Sequence, residues 1–338
     1  MVTLGLAAVA ATLAATPPAV CALDPPEQGF YSKSLDLGGL AIKAHADVSD
    51  ESMREAWRRL HRLLEHVPQG WSNLVAAGAE LHIIGKNQKM VDMPEYRQWK
   101  GRKYEGDLTL DERARGLGGL VASCGEDNLL KLPGDAFRDH RDICSHEFAH
   151  TLMEFGLGPG LVRRLEEQYR RSTGRGLWKT AYAATSPGEY FAELSMWYFD
   201  SRGAFGRLEP PPKEGREWLA SYDPEGFRLL DDLYSGRLPI APRAGVTLAL
   251  LPASREKDLR SLRSDASTGL SVRNLTAGTV TVYWLDTAGR RVKYDAIDAG
   301  AVWSISTFVT HPWVFTDAAG RALGLVVAAD QPGTVVLR

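Results

Sequence analysis

The sequence predicts an α+β protein in two parts, a helix-dominated first part followed by an all-β part. The chain has 338 residues, whereas single hydrophobic cores stop growing at roughly 250 to 300 residues. Apolar residues recur at helical spacing up to residue 234, and residues 246–338 alternate in short β-branched runs between glycine-containing turns. The intervening residues 235–245 carry two Pro and two Gly without any periodicity. We therefore expect a domain boundary near residue 242.

The first part is expected to combine two strands with five helices. Ser49 or Asp50 is the expected N-cap of the first helix, whose apolar residues lie on one face and whose arginines lie largely on the other. Residues 86–142 are irregular and rich in Gly and charge, which is typical of a functional loop region. The predicted strands are 34–44 and 80–85. The predicted helices are the capped segment that runs through Leu64, and 143–155, 161–171, 187–199 and 224–234.

The composition excludes several classes of protein. With 44% hydrophobic and 24% charged residues, the chain is neither disordered nor a small disulfide scaffold. Its 40 basic and 42 acidic residues leave a net charge of −2. No global field therefore attracts it to nucleic acid or to an anionic membrane, and selectivity must come from local sites.

The N-terminus resembles a secretory leader. Residues 4–15 are apolar and rich in Ala, and small residues precede and include Ala22, so we predict a signal peptide over 1–22 with cleavage after Ala22. No Lys or Arg precedes the apolar run, which leaves a retained N-terminal anchor or a misassigned start as alternatives. No other run reaches the roughly 18 apolar residues that span a bilayer. The expected location is secreted or periplasmic.

Three cysteines are present, at positions 21, 124 and 144. The first lies in the predicted leader. In an oxidising compartment the remaining two, Cys124 and Cys144, form an even pair that can make a disulfide. The alternative is two buried free thiols.

One segment has the spacing of a zinc site, His146-Glu147-Phe148-Ala149-His150, and it lies inside a predicted helix. Residues four apart share one face of a helix, so both imidazoles can bind the same zinc ion. Glu147 projects beside them and can take a proton from the water that the metal activates. The pattern predicts His146 and His150 as ligands and Glu147 as the general base of a hydrolase.

A hydrolytic zinc site needs a third protein ligand and an open fourth position. The best donors are Glu189 and Glu193, in a helix that Thr185 or Ser186 can cap and whose first turn holds Pro187. The two carboxylates then lie one turn apart on the same side. One carboxylate can ligate the metal while the other accepts an N–H from a ligand histidine. The pattern leaves open whether Glu189 or Glu193 is the ligand.

These motifs together resemble a known family. The HEFAH segment, followed by Tyr182, Glu189 and then Phe191-Ala-Glu193, is similar to the catalytic domains of the anthrax lethal factor family, which includes the Pro-Pro endopeptidases. The resemblance is best over residues 115–200 and implies a zincin-like metallopeptidase domain over 23–242, of the gluzincin type. It implies the following roles: zinc ligands His146, His150 and Glu189, general base Glu147, oxyanion-stabilising phenol Tyr182, and second acid of the motif Glu193.

The segment just upstream of the metal helix is rich in glycine, Arg115-Gly-Leu-Gly-Gly-Leu-Val-Ala-Ser-Cys124. Its glycines do not have the spacing of a phosphate-binding loop. We interpret it as a wall of the cleft, along which an extended substrate can pair as an added strand. A purely structural loop explains the same residues.

Residues 262–338 resemble the von Hippel–Lindau β domain family. The similarity rests on Val282-Tyr-Trp284-Leu-Asp, Tyr294, Thr307-Phe308 and His311-Pro-Trp313. It implies a β-sandwich domain over 243–338 that binds 4-hydroxyproline in an extended peptide. The implied pocket consists of Trp284, Tyr294, Thr307, His311 and Trp313.

Such a pocket has a physical rationale, because aromatic rings suit a rigid proline ring and a hydroxyl with an imidazole can bond its extra OH. Thr307 stands where the family has Ser, which keeps the hydroxyl and adds a methyl group. The alternative is that these residues form only the core of the sandwich.

The sequence therefore predicts an exported zinc-dependent endopeptidase with zinc as cofactor and a peptide or protein as substrate, proline-rich chains included. Its β domain is expected to bind proline- or hydroxyproline-containing peptides. The main alternative is a non-catalytic, zinc-containing peptide-binding protein, and a second is a zinc hydrolase that cleaves a non-peptide bond. Glu147 and Tyr182 disfavour the main alternative, because neither is needed merely to hold a metal.

Overall fold

The computed structural model of the protein describes residues 16–137, 139–208, 211–243, 246–264 and 266–338. It confirms the predicted α+β class, with helices concentrated before residue 235 and strands alone, apart from one 3-10 turn, after residue 246. Residues 1–15 of the predicted leader lie outside the described residues.

The first part is built on a six-stranded sheet with the order β1-β2-β3-β4-β8-β7. The central strands β3, β4 and β8 are parallel, and the remaining neighbours are antiparallel. The short strands β5 and β6 form a separate hairpin. The strands are β1 (Cys21–Glu27), β2 (Tyr31–Leu37), β3 (Leu40–Ala44), β4 (Glu80–Ile84), β5 (Lys103–Glu105), β6 (Leu108–Thr109), β7 (Gly116–Leu117) and β8 (Val121–Gly125).

Most helices cover one face of this sheet and form the main hydrophobic core with it. Residues between 90 and 110 cover the other face and form a smaller apolar cluster. The helices are α1 (Asp50–Leu64), α2 (Pro68–Ala77), α3 (Leu110–Arg113), α4 (Glu126–Leu129), α5 (Ile143–Thr151), α6 (Pro159–Gly174), α7 (Pro187–Tyr198), α8 (Arg216–Tyr222) and α9 (Pro224–Tyr234). A wider π turn, Leu152–Gly156, prolongs α5, and 3-10 turns lie at Met90–Asp92, Pro94–Trp99 and Tyr182–Ala184.

Local sequence signals explain several of these boundaries. Ser49 caps α1 by accepting a hydrogen bond from the Ser52 amide at 3.2 Å. The predicted single strand over 34–44 is instead a hairpin, because a turn at residues 38 and 39 separates β2 from β3. The predicted loop region 86–142 contains β8, a central strand that the surrounding glycines conceal in the sequence.

The second part is a sandwich of two four-stranded sheets, with the orders β13-β10-β16-β9 and β12-β11-β14-β15. Trp303, Trp313 and Phe315 are almost fully buried between them and anchor the core. The strands are β9 (Val246–Thr247), β10 (Ser267–Asn274), β11 (Val280–Leu285), β12 (Arg291–Ile297), β13 (Val302–Phe308), β14 (Pro312–Thr316), β15 (Ala322–Val327) and β16 (Gly333–Leu337). The 3-10 turn of this part is Ala253–Asp258.

The end of the predicted leader overlaps the first strand. In β1, Cys21 is paired with Ser34 and Ala22 with Lys33. Cleavage after Ala22 removes these two pairs and leaves the rest of β1, so the cleavage site stays a prediction. In the part of the chain that the structure describes, no helix is long and apolar enough to cross a membrane.

The predicted disulfide between Cys124 and Cys144 does not form in the structure. Cys124 lies in β8 and Cys144 in α5, and both are free thiols that contact each other inside the main core. Burial, together with the neighbouring sulfur, raises the pKa of the Cys144 thiol. Because a neutral thiol packs as a small apolar group, the core accommodates both cysteines without a covalent bond. This agrees with the alternative of two buried free thiols.

A buried network of charges lies on the sheet face opposite the main core. His82 bonds Glu80 through Nε2 at 2.9 Å and Glu95 through Nδ1 at 2.6 Å. Lys43 Nζ lies 2.7 Å from Glu80, and Tyr31 donates to Glu95 at 2.6 Å. Burial opposes the charge on His82, but the two carboxylates outweigh it and raise its pKa to about 9. Glu80 has its pKa lowered to about 2 against the effect of burial, chiefly by Lys43 and His82.

This network predicts a specific dependence of stability on pH. Because the pKa of His82 is higher in the folded state than its ordinary 6.5, its contribution is complete below about pH 6.5 and is lost as the pH rises through about 9. We expect His82→Gln to lower the free energy of unfolding at pH 6 by on the order of 3 kcal/mol, since the buried Glu95 carboxylate loses the positive charge of His82. The difference from wild type should shrink towards pH 9 in urea titrations.

The exposed His66, whose side chain is 64% exposed, provides a matched control. His66→Gln should leave both the unfolding midpoint and its pH dependence unchanged. A wild-type to His82→Gln difference that stays constant from pH 6 to pH 9 would contradict a charged His82.

Candidate metal centre

Helix α5 carries the HExxH segment and is fixed at its N-terminus. Asp142 caps it by accepting from the Ser145 amide at 3.0 Å, and Arg59 of α1 donates to the same carboxylate at 2.6 Å. Arg59 and Asp142 are both buried, so this ion pair is shielded from solvent. The segment is thereby held rigidly against the sheet with His146 and His150 on one face.

Three side-chain atoms of this region form a nearly equilateral triangle. His146 Nε2 lies 3.2 Å from His150 Nε2 and 3.2 Å from Glu189 Oε2, and His150 Nε2 lies 3.4 Å from Glu189 Oε2. A tetrahedral zinc ion with bonds of about 2.0 to 2.1 Å holds its ligand atoms roughly 3.3 Å apart. Glu189 Oε2 is buried, and among the residues that the structure describes it has no hydrogen-bond partner. The triangle therefore fits one face of a tetrahedral metal site.

The structure distinguishes the two acids that the sequence left open. Helix α7 begins at Pro187, and Ser186 caps it by accepting from the Glu189 amide at 3.1 Å. Glu189 thus faces both imidazole Nε2 atoms. Glu193 instead lies with Oε1 3.3 Å from His146 Nδ1, and its other oxygen accepts from the Ala204 amide. Glu189 has the position of a ligand, and Glu193 has that of the acid that orients His146.

The electrostatics of the cluster favour a bound cation. Burial opposes a charge on His146, but Glu189 and Glu193 outweigh it and raise its pKa to about 10. Burial alone would raise the pKa of Glu189, yet His146 and His150 lower it well below its ordinary value. Two carboxylates thus compete for positive charge at these imidazoles, and a divalent cation satisfies the same demand as a proton.

Glu147 lies next to the triangle, and its carboxylate and the two imidazoles lie within 4.8 Å of one another. Burial raises the pKa of Glu147, while His146 and His150 counteract part of that effect. A carboxylate with a raised pKa is better suited to take and return a proton near neutral pH.

Tyr182 lies across the cavity in the 3-10 turn before α7, with its ring centroid 6.4 Å from that of His146. Arg113 Nη2 donates to the Tyr182 hydroxyl at 3.3 Å and is itself paired with Glu105. Because the hydroxyl oxygen accepts from Arg113, its hydrogen remains available for donation, and the Glu189 carboxylate lies within its reach. No sequence motif identified Arg113, because it reaches the site only through the fold of residues 103–113.

The cavity around these groups has a volume of about 280 Å³ and is lined on one side by Gly116 and Leu117 of the edge strand β7. A Cβ at Gly118 would lie 2.6 Å from His150 Cβ, so only glycine allows the chain to pass this close to α5. The geometry therefore places the glycine-rich segment along the cavity, where we predicted a cleft wall.

The contact between Arg113 and Tyr182 leads to a prediction. If Arg113 orients the phenol, Arg113→Gln should lower kcat for peptide cleavage by about tenfold with little change in KM. In a Tyr182→Phe background the same substitution should have almost no further effect, because the group through which it acts is gone. Arg141→Gln, which lines the same cavity without touching Tyr182, is the control. Equal losses from Arg113→Gln in both backgrounds would contradict this role.

The five predicted pocket residues of the β domain also come together. Trp284 and His311 have ring centroids 5.2 Å apart, and Tyr294 and Trp313 have theirs 4.9 Å apart. Trp313 Nε1 donates to Thr307 Oγ1 at 3.0 Å. Trp313 is only 2% exposed and belongs to the sandwich core, which agrees in part with the alternative of a structural role.

Comparison with known proteins supports most clearly the predicted family resemblance of the second part of the chain. Residues 259–330 match the family model of the VHL beta domain. This match confirms the predicted resemblance over those residues. No curated protein sequence matches the chain. A solved structure of the Pro-Pro endopeptidase of Paenibacillus alvei is similar at 17% identity and a TM-score of 0.38, over 57% of this chain and 96% of that one.

Proposed function

We propose that the protein is a zinc-dependent endopeptidase. The observation that carries the proposal is the triangle of His146, His150 and Glu189, with a carboxylate and a phenol directed at the same cavity. A site that only held zinc would need neither Glu147 nor Tyr182. The similarity of these motifs to the lethal factor family points in the same direction.

The roles of the side chains follow from their positions. Zinc, when bound, polarises the scissile carbonyl and acidifies the attacking water. Glu147 takes the proton from that water and returns it to the leaving amine. Tyr182, oriented by Arg113, donates a hydrogen bond to the oxygen on which negative charge develops. The edge strand β7 offers main-chain groups with which an extended peptide can pair.

The test is peptide cleavage under control of the metal. The purified full chain should contain close to one zinc per molecule, cleave a mixed peptide library, lose cleavage when a chelator removes the metal, and regain it when zinc is restored. A protein that binds zinc and peptides but cleaves nothing would instead be the non-catalytic alternative. Cleavage of ester or other non-peptide substrates alone would favour the other hydrolase alternative.

We further propose that the β domain binds proline-containing peptides, with or without a 4-hydroxyl group. The support is the VHL beta domain match together with the convergence of Trp284, Tyr294, Thr307, His311 and Trp313. Calorimetry on the full chain with paired proline and hydroxyproline peptides tests this. Tighter binding of the hydroxylated peptide, improved further by Thr307→Ser, is the expected result. Equal binding of the two peptides contradicts recognition of the 4-hydroxyl group, and absent binding of both contradicts the proposal as a whole.

We also propose that the protein is exported, and the support is the predicted signal peptide over residues 1–22. A secreted or periplasmic peptidase meets extended and unfolded chains, the form of substrate that an edge strand binds. Fractionation of the native host, with N-terminal sequencing of the mature protein, tests both the location and the cleavage after Ala22.

A further inference from the structure

The β domain packs directly beside the metal centre. Along β13, Ser304 and Ser306 alternate with the inward residues and face the first part. Ser306 Oγ accepts from the Leu120 amide at 2.6 Å. Gly119 has φ of 128°, and a Cβ there would lie 2.3 Å from Ser306 Oγ. The neighbouring Gly118 contacts His150, so one short loop touches both the β domain and a predicted metal ligand.

The linker is bonded to the first part as far as Arg243. Asn73, which is buried, donates to the carbonyls of Gly156 at 2.8 Å and Ala241 at 3.0 Å and accepts from the Arg243 amide at 2.8 Å. Arg243 in turn donates to the carbonyls of Glu154 and Leu157. These bonds attach the linker to the C-terminal end of the metal helix. Both the linker and Ser306 of the β domain therefore contact segments that adjoin His150.

A second, larger cavity lies at this junction. Its volume is about 760 Å³, and His150 is one of its lining residues. Five parts of the protein line it: His150 and Glu154 from α5 and its π extension, Glu166 from α6, Pro187 from α7, Arg243 from the linker, and Asp330 and Gln331 from the β domain.

The lining of this cavity has a definite chemistry. Val162, Pro187 and Pro242 contribute apolar wall. Glu154, Glu166 and Asp330 make no ion pair among the residues that the structure describes. The cavity is also lined by Arg163 and Arg243, and the Arg243 guanidinium donates to main-chain carbonyls. A long side chain with an apolar stem and a positive end therefore complements the cavity.

We propose that this inter-domain cavity is a substrate subsite for a lysine or arginine side chain, and that Asp330 of the β domain is one of its specificity-determining residues. The proposal rests on the proposed peptidase function, because it places in the cavity a peptide that extends from the metal centre past His150. The β domain then completes the cleft in addition to any separate binding of proline-containing chains.

The experiment measures cleavage preference with the zinc-loaded full chain. Peptide libraries carrying Lys, Leu or Glu at each position around the cleavage site are digested by wild type, Asp330→Asn and Asp330→Lys, with mass spectrometry as the readout. At one position wild type should prefer Lys to Glu. The preference should fall about tenfold in Asp330→Asn, as for loss of one charge-assisted hydrogen bond, and reverse in Asp330→Lys. Asp258→Asn, an exposed substitution in the β domain outside the cavity, should leave it unchanged.

A binding measurement separates recognition from chemistry. The Glu147→Gln protein, which retains the cavity, should bind the preferred Lys peptide about tenfold more tightly than its Glu counterpart, and Asp330→Asn should abolish this difference. Cleavage with an identical preference in wild type and both Asp330 variants overturns the subsite while leaving the peptidase proposal intact. A wild-type protein that cleaves no peptide overturns the peptidase function and the subsite with it.

Discussion

Replacing Glu147 with Gln should lower kcat for peptide cleavage by about 10² to 10⁴-fold while zinc stays bound at full occupancy. Gln has nearly the same shape as Glu and keeps an oxygen, but it cannot accept a proton. The metal triangle of His146, His150 and Glu189 does not include this side chain. Metal analysis and steady-state kinetics on the same preparation measure the two effects separately.

Two controls sharpen this result. Glu154→Gln changes a carboxylate one turn beyond His150 and outside the catalytic cavity, so it should retain turnover on peptides without basic residues. The unfolding temperature of Glu147→Gln should match that of wild type to within a few degrees. Unchanged kcat in Glu147→Gln would exclude it as the general base, and loss of zinc would indicate that the carboxylate is needed to hold the metal.

Glu189→Gln should weaken zinc binding far more than Glu193→Gln. Glu189 Oε2 lies 3.2 and 3.4 Å from the two imidazole Nε2 atoms, so the first change removes an anionic ligand. Glu193 contacts His146 through the opposite ring nitrogen, and loss of such an orienting partner typically costs about 10 to 100-fold in affinity. Competition with a chromophoric chelator at fixed pH gives both affinities.

Glu189→Gln and Glu193→Gln control for each other, because each removes one carboxylate from helix α7. Any general effect on the helix should therefore be similar in both. Glu193 is 2% exposed and bonds the Ala204 amide, so Glu193→Gln is the variant expected to lower stability more. A larger loss of zinc affinity in Glu193→Gln than in Glu189→Gln would reverse the assignment of ligand and orienting acid.

Several features of the site could be predicted from local sequence because the chemistry is local. The positions of His146, Glu147 and His150 follow from helical periodicity alone, which places residues four apart on one face. The cap of α7 is equally local, because Ser186 and Pro187 have strong preferences at a helix start. The β domain could be recognised because its aromatic and glycine positions recur along a single stretch of chain.

Other features could not be read in this way. Strand β8 is short and flanked by glycines, so the sequence suggests a loop until β4 pairs with it. Cys124 and Cys144 are compatible with a disulfide or with free thiols, and only their packing inside the main core decides between the two. The charge on His82 depends on Glu80 and on Glu95, which the fold brings from another segment.

By itself, the sequence determined the fold class, the helix that carries the HExxH segment, the candidate acids and the resemblance of residues 262–338 to the VHL beta domain, which the family model matches over 259–330. The tertiary structure alone decided that Glu189 rather than Glu193 faces the two Nε2 atoms, that Arg113 reaches Tyr182, and that the β domain lines a cavity beside His150. The physical reason is the range of the interactions. Periodicity and capping act within a few residues, whereas these contacts join segments 69 or more residues apart or distinguish two carboxylates that lie one turn apart on the same helix.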